Sequence, residues 1–288
     1  MRVRPQGAAI HDAADTGPRG RPDQVRRAYA YMFTHDAGAE ADTVGHRIVE
    51  RMVWLCAETA PALYSAPAGH EPYPPGSRPV LEALLAARLP AGPADGEATV
   101  AAVAAVCAAM AREADARPGE TLDDLRLGGT EEEIAARGSS WCTDLARLGC
   151  RLVQVAGLPA RLVQLADTGS PYCGHQIVEV WRGGAWGAVD PTTGVVYREA
   201  DGRPATTWGL MHRPDLVVAH RRGHATPYTA PEQFRAAAIS EYPWDAPGTY
   251  LVTVPNPYQR SILEMSEAGW PGGMRWLHGE EQFGIEGT

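Results

Sequence analysis

The chain has 288 residues, 44% of them hydrophobic and 21% charged, with a formal net charge of −9; that is enough apolar material for a large core, and it carries no basic stripe of the kind a nucleic-acid partner requires. All 26 positive side chains are arginine, since lysine does not occur, which excludes a Walker-type phosphate loop and a pyridoxal Schiff base. No apolar run reaches about 18 residues, so neither a membrane span nor a membrane partner is expected. The opening residues lack a signal-peptide core, and the cysteines (Cys56, Cys107, Cys142, Cys150, Cys173) are odd in number; both point to free thiols in a cytoplasmic, reducing setting.

Residues 1–23 are polar and aperiodic and are expected to be a disordered leader. Between 24 and 61, Val44, Ile48, Val49, Met52, Val53 and Leu55 recur at helical spacing and predict one or two helices. Five prolines make 66–79 a loop, after which helices are expected over 79–88 and 98–116. Glu131, Glu132 and Glu133, after Gly129-Thr130, read as a solvated helix start. A helix opening at Cys142, with serine available to cap it, carries Leu145, Leu148, Cys150, Leu152, Val153 and Val155 to a stop at Gly157 and Pro159.

Ala160 to Leu165 reads as a strand, and His175–Trp181 with Ala185–Asp190 forms the clearest hairpin, turning at Arg182-Gly183-Gly184. Pro191 to Gly194 is a turn, and Val195 to Tyr197 begins another extended piece. Beyond 214, prolines, aromatics and a strand-like Thr249–Val254 suggest an extension or lid over 215–288, with His212, His220 and His224 at the surface. The expected organisation is therefore α+β, with a core over 24–214 that includes the N-terminal helices.

The chemistry begins at Cys142. A free thiol, with a pKa of about 8.5, is only a few per cent thiolate at neutral pH, so a nucleophilic cysteine needs help. The first turn of a helix supplies positive dipole and unpaired amides. If Gly183 and Gly184 are the two loop residues, Arg182 faces Ala185, His175 lies opposite Thr192 and Asp190 opposite Ile177. His175 and Asp190 then share a sheet face as diagonal neighbours, about 5 to 8 Å apart at Cβ. A third loop residue would turn Asp190 to the other face.

The segments GSSWCTDLARLGCRLVQVAGLPARLVQL, GHQIVEVW and AWGAVDPTTGVVY resemble, in order and spacing, the three core motifs of the transglutaminase-like superfamily, over about a fifth of the chain. The resemblance implies a papain-like core with helices packed on an antiparallel sheet, Cys142 as nucleophile, His175 as general base and acid, and Asp190 orienting the histidine. It implies a thioester formed from a peptide, protein or small-molecule amide or thioester and passed to water or an amine. Hydrolase, protease and amide-forming acyltransferase all remain open. No cofactor is implied.

Trp141, Tyr172, Trp186 and Trp208 are candidates to line the acyl pocket, against their commoner role as core aromatics. The second oxyanion donor, beside the Cys142 amide, is open between Tyr172, Trp141 and another backbone amide. Cys56, Cys107 and Cys150 read as packed thiols. Cys173 reads as a packed or solvent-facing thiol, with a redox partner for Cys142 as the lesser option. Zinc on Cys142, Cys150, Cys173 and His175 is disfavoured, because no Cys-x-x-Cys or His-Glu-x-x-His occurs. The competing reading is a non-catalytic binding or scaffold protein on the same fold.

Overall fold

The computed structural model describes residues 52–69, 72–89, 96–115, 124–166, 174–220, 231–242 and 252–253. The leader at 1–23, Tyr172, Cys173 and His224 lie outside them. In chain order the elements are β1 (Met52–Trp54), α1 (Ala60–Leu63), α2 (Pro79–Arg88), α3 (Gly96–Asp115), β2 (Leu127–Gly128), α4 (Glu131–Arg137), α5 (Cys142–Val155), β3 (Ala160–Ala166), β4 (Gly174–Arg182), β5 (Ala185–Asp190), β6 (Val195–Val196), α6 (Thr207–His212), α7 (Pro214–His220), a short 3-10 turn (Pro231–Arg235), β7 (Ala236–Glu241) and β8 (Val252–Thr253).

Six strands form one antiparallel sheet in the order β1-β7-β3-β4-β5-β6. The class is therefore α+β. Both sheet faces are covered, which explains why its strands are apolar on alternate positions of both parities. Leu162, Val178, Val180 and Val189 pack with Leu81, Val103, Leu145, Leu148 and Leu152 on the helical side. Val163, Leu165, Ile177, Ala188 and Ile239 pack with Leu55, Tyr197, Leu210, Val217 and Phe234 on the other.

Two expectations are corrected. Met52–Trp54, placed in a helical window, is an edge strand that pairs with β7. Residues 236–241, expected in an extension or lid, lie inside the sheet between β1 and β3, so the core does not end at 214. The strand expected over 249–254 survives as β8, paired with β2. Among the described residues, no helix is long and apolar enough to cross a membrane.

The β4–β5 hairpin has the expected register, with Arg182 opposite Ala185 and Val178 opposite Val189. Gly183 (φ 57°) and Gly184 (φ 78°) both hold positive φ, the geometry a two-residue turn needs to match strand twist. Arg182 Nη1 closes the hairpin by donating to the Gly187 carbonyl at 3.0 Å.

Candidate active site

Cys142 is the first residue of α5, after an N-cap Trp141 whose side chain makes no capping bond. The amides of the first turn thus have no side-chain acceptor from the N-cap. The expected serine cap is replaced by a different arrangement. Ser139 Oγ accepts from the Trp141 amide at 3.1 Å and donates to Asp144 Oδ2 at 3.1 Å. Asp144, buried in that first turn, also accepts from the Gly128 amide at 3.0 Å and from Arg137 at 3.2 Å, and lies 3.7 Å from Arg147. Burial pushes the Asp144 carboxyl up, against the pull of Arg147 and Arg137. The start of α5 is therefore tied to β2 and to the end of α4 by one carboxylate.

Asp190 ends β5 and is held by the turn that follows it. Its Oδ1 accepts from the Thr192 amide at 2.9 Å and the Thr193 amide at 3.4 Å, its Oδ2 accepts from Thr193 Oγ1 at 2.8 Å, and its carbonyl accepts from the Gly194 amide at 2.8 Å. The same Oδ2 lies 3.1 Å from His175 Nε2. Cys142 is close enough to His175 to add to the pull that Asp190 exerts on the ring's charge. All three side chains are nearly enclosed, with exposures of 8% for Cys142, 1% for His175 and 0% for Asp190.

Burial alone would lower the His175 pKa, but the charge and hydrogen bond of Asp190, joined by those of Cys142, raise it to about 10. Burial would likewise raise the Asp190 carboxyl, yet His175 and the donors Thr193 and Thr192 hold it below its ordinary range. At neutral pH this leaves a protonated imidazole beside the Asp190 carboxylate, with the buried Cys142 in the same cluster.

The candidate pocket aromatics divide. Trp141 adjoins Cys142 and is half-buried. Trp186 faces Trp181, six positions after His175 on β4, a separation of about 20 Å by strand rise. Its ring packs under Arg161 at 4.0 Å, and its Nε1 donates to the Ser65 carbonyl at 3.0 Å. It lines an open groove of about 910 Å³ with Ala62, Pro159, Arg161 and Ile239, not the surroundings of the thiol. Trp208, on α6, gives its amide to Tyr64 Oη at 3.0 Å, and its ring lies tilted against that of His212, centroids 4.2 Å apart, which again ties it to a different cluster.

Cys107 and Cys150 are fully buried, and burial pushes both thiols up, that of Cys107 to about 12; both behave as packing residues. His212 is exposed as expected, whereas His220 is half-buried against Tyr197 at 5.5 Å, with Nε2 accepting from the Arg198 amide at 3.2 Å. Of the glutamates read as solvated, Glu133 forms a capping box with Thr130. Glu131 instead turns inward to Arg147 at 3.3 Å, to Arg151 at 3.6 Å and to Tyr242 Oη. Among the described residues, no cluster of three His, Cys, Asp or Glu side chains is arranged to hold a metal.

Asp144 and Thr193 are the site residues that sequence reasoning missed. Thr193 was visible in principle, because an aspartate followed by Pro-Thr-Thr is an Asx-turn pattern. Asp144 was half visible, as an acidic residue in a first helical turn; its bond to Gly128 spans 16 positions and leaves no local trace. No family model, no curated protein and no solved structure matches the chain.

Proposed function

We propose that the chain is a cysteine-dependent acyl-transfer enzyme on a papain-like, transglutaminase-like core, with Cys142 as nucleophile, His175 as acid and base, and Asp190 as orienter. One observation carries the proposal: the buried imidazole of His175 lies 3.1 Å from the buried carboxylate of Asp190, and its charge is influenced by Cys142, a buried thiol that opens a helix. The thiolate of Cys142 attacks an acyl carbon, and the charge that develops on the acyl oxygen falls near the uncapped first-turn amides of α5. His175 then protonates the departing amine, alcohol or thiol, leaving a thioester on the sulfur. Water or an amine, deprotonated by the now neutral imidazole, attacks the thioester and restores the thiol. The substrate class is an amide, peptide or activated ester, and a reducing cytoplasm suits the free thiolate.

Mass-resolved alkylation with iodoacetamide at about pH 6 to 7 tests the site directly. Cys142 is expected to react first, and H175A is expected to slow it by at least about tenfold. Equal rates for Cys142 in the two chains would leave a non-catalytic scaffold as the better reading. With thioester or glutaminyl donors, product is expected from the natural chain and none above background from C142A, a loss of at least about 10³-fold. Adding amines decides whether the acyl group goes to water or to nitrogen.

A further inference from the structure

The Asp190 turn and the Cys142 helix touch at a point where α5 has no side chain. A Cβ placed on Gly149 would stand 2.8 Å from Pro191 Cγ, 3.1 Å from Pro191 Cβ and 3.6 Å from Cys107 Sγ. Gly149 lies seven positions after Cys142, two turns along the same helical stripe. Pro191 is the residue immediately after Asp190; its Cγ can move only by a change of ring pucker, and its Cβ, 3.1 Å away, is fixed to the backbone. The far side of the turn is close-packed too: a Cβ on Gly194 would stand 3.0 Å from Ala108 Cβ on α3. The turn that holds the carboxylate is thus wedged between two helices.

We propose that Gly149 is a positioning residue, a deliberate gap in α5 that lets the turn carrying Asp190 seat close enough for His175 to bridge carboxylate and thiol. This rests on the acyl-transfer reading of Cys142, His175 and Asp190. A methyl group at 149 has to gain about 0.8 Å to reach ordinary carbon–carbon contact with Pro191. Whichever side yields, a triad member moves with it: Cys142 if the helix shifts, Asp190 if the turn does. The His175–Asp190 ion-pair contact is 3.1 Å, and displacements near 1 Å at such sites cost up to about a hundredfold in rate. Glycine in a helix interior is otherwise a disadvantage relative to alanine, so a merely structural view predicts a helix-stabilising or neutral exchange wherever space allows.

The test compares the natural chain, G149A, P191A and G149A/P191A by the iodoacetamide rate at Cys142 from pH 5 to 9, with melting temperature measured alongside. G149A is expected to slow alkylation at pH 6 by about ten- to a hundredfold and to change the dependence of the rate on pH. Removing the Pro191 ring in the double variant is expected to restore most of the rate and the pH dependence of the natural chain. G149A that reacts as fast as the natural chain with the same pH profile, whatever its melting temperature, overturns the proposal; so does a double variant no faster than G149A. If G149A does not fold, the double variant decides: folded and reactive supports the proposal, and unfolded or unreactive overturns it. An H175A chain as reactive as the natural one sinks the acyl-transfer reading itself, which separates the two failures.

Discussion

Two buried ion pairs sit on one face of β4, and they do different work. At the start of the strand, His175 meets Asp190 at 3.1 Å. Four positions on, Glu179 accepts from Arg161 Nε at 3.0 Å and Nη2 at 2.6 Å, from Tyr64 Oη at 2.8 Å and from the Thr207 amide at 2.7 Å. Arg161 in turn donates to the Leu63 carbonyl and lies over Trp186 and Tyr64. That second cluster joins α1, the sheet and the start of α6, and its charges are consumed by other protein groups. The first has a buried thiol and a titratable imidazole in the same cluster. Burial and charge therefore mark scaffold as readily as chemistry, and the two are told apart by whether a reactive atom is among the partners. Arg161 and Glu179 lie in the same sequence segments as Cys142 and His175, so those segments record architecture as well as the candidate site.

The contrast can be broken at several places. D190N keeps the shape of the near pair but removes the charge that fixes the imidazole, and kcat/KM is expected to fall by about 10² to 10⁴. Alkaline titration should act next. The kcat/KM profile is expected to fall near pH 10, where His175 loses the proton it gives to the leaving group. The same group links pH to stability: its pKa is raised from 6.5 to about 10 in the folded chain, so its contribution is complete below about pH 6.5 and lost as pH climbs through about 10. Asp190, held low, contributes above the ordinary carboxylate range of about 4 and loses that contribution as pH falls through its lowered value. A melting-temperature series against pH for H175Q should lack the decline between about pH 7 and 10. The smallest effect on chemistry is expected from E179Q. It strands the buried Arg161 and should cost about 3 to 5 kcal/mol in denaturant titrations, while the folded fraction alkylates at Cys142 at the natural rate. A large loss of reactivity there would erase the distinction between the two pairs.

What the sequence made legible was local. The hairpin register followed from Gly183-Gly184 and period-two alternation, and it put His175 beside Asp190. The helix at Cys142 followed from its apolar stripe and its glycine-proline stop. The hidden parts are those that only long-range pairing decides. Met52–Trp54 is too short to show its own period and was absorbed into the apolar spacing before it. The place of β7 depends on partners at 52–54 and 161–166. Glu131 turned inward because Arg147 and Arg151 on the next helix face it, whereas three consecutive glutamates suggest only water.

Helix α5 is secured at both tips. Asp144 ties its first turn to Gly128 and Arg137, and Gln154 Nε2 ties its last to the carbonyls of Ala160 and Tyr242, at 3.1 and 2.7 Å. A rod pinned at each end has no soft mode along which to drift from the sheet before the pins themselves give way. Heating should therefore abolish acyl-transfer activity and compact structure at one temperature, with no interval in which a folded but inert chain accumulates.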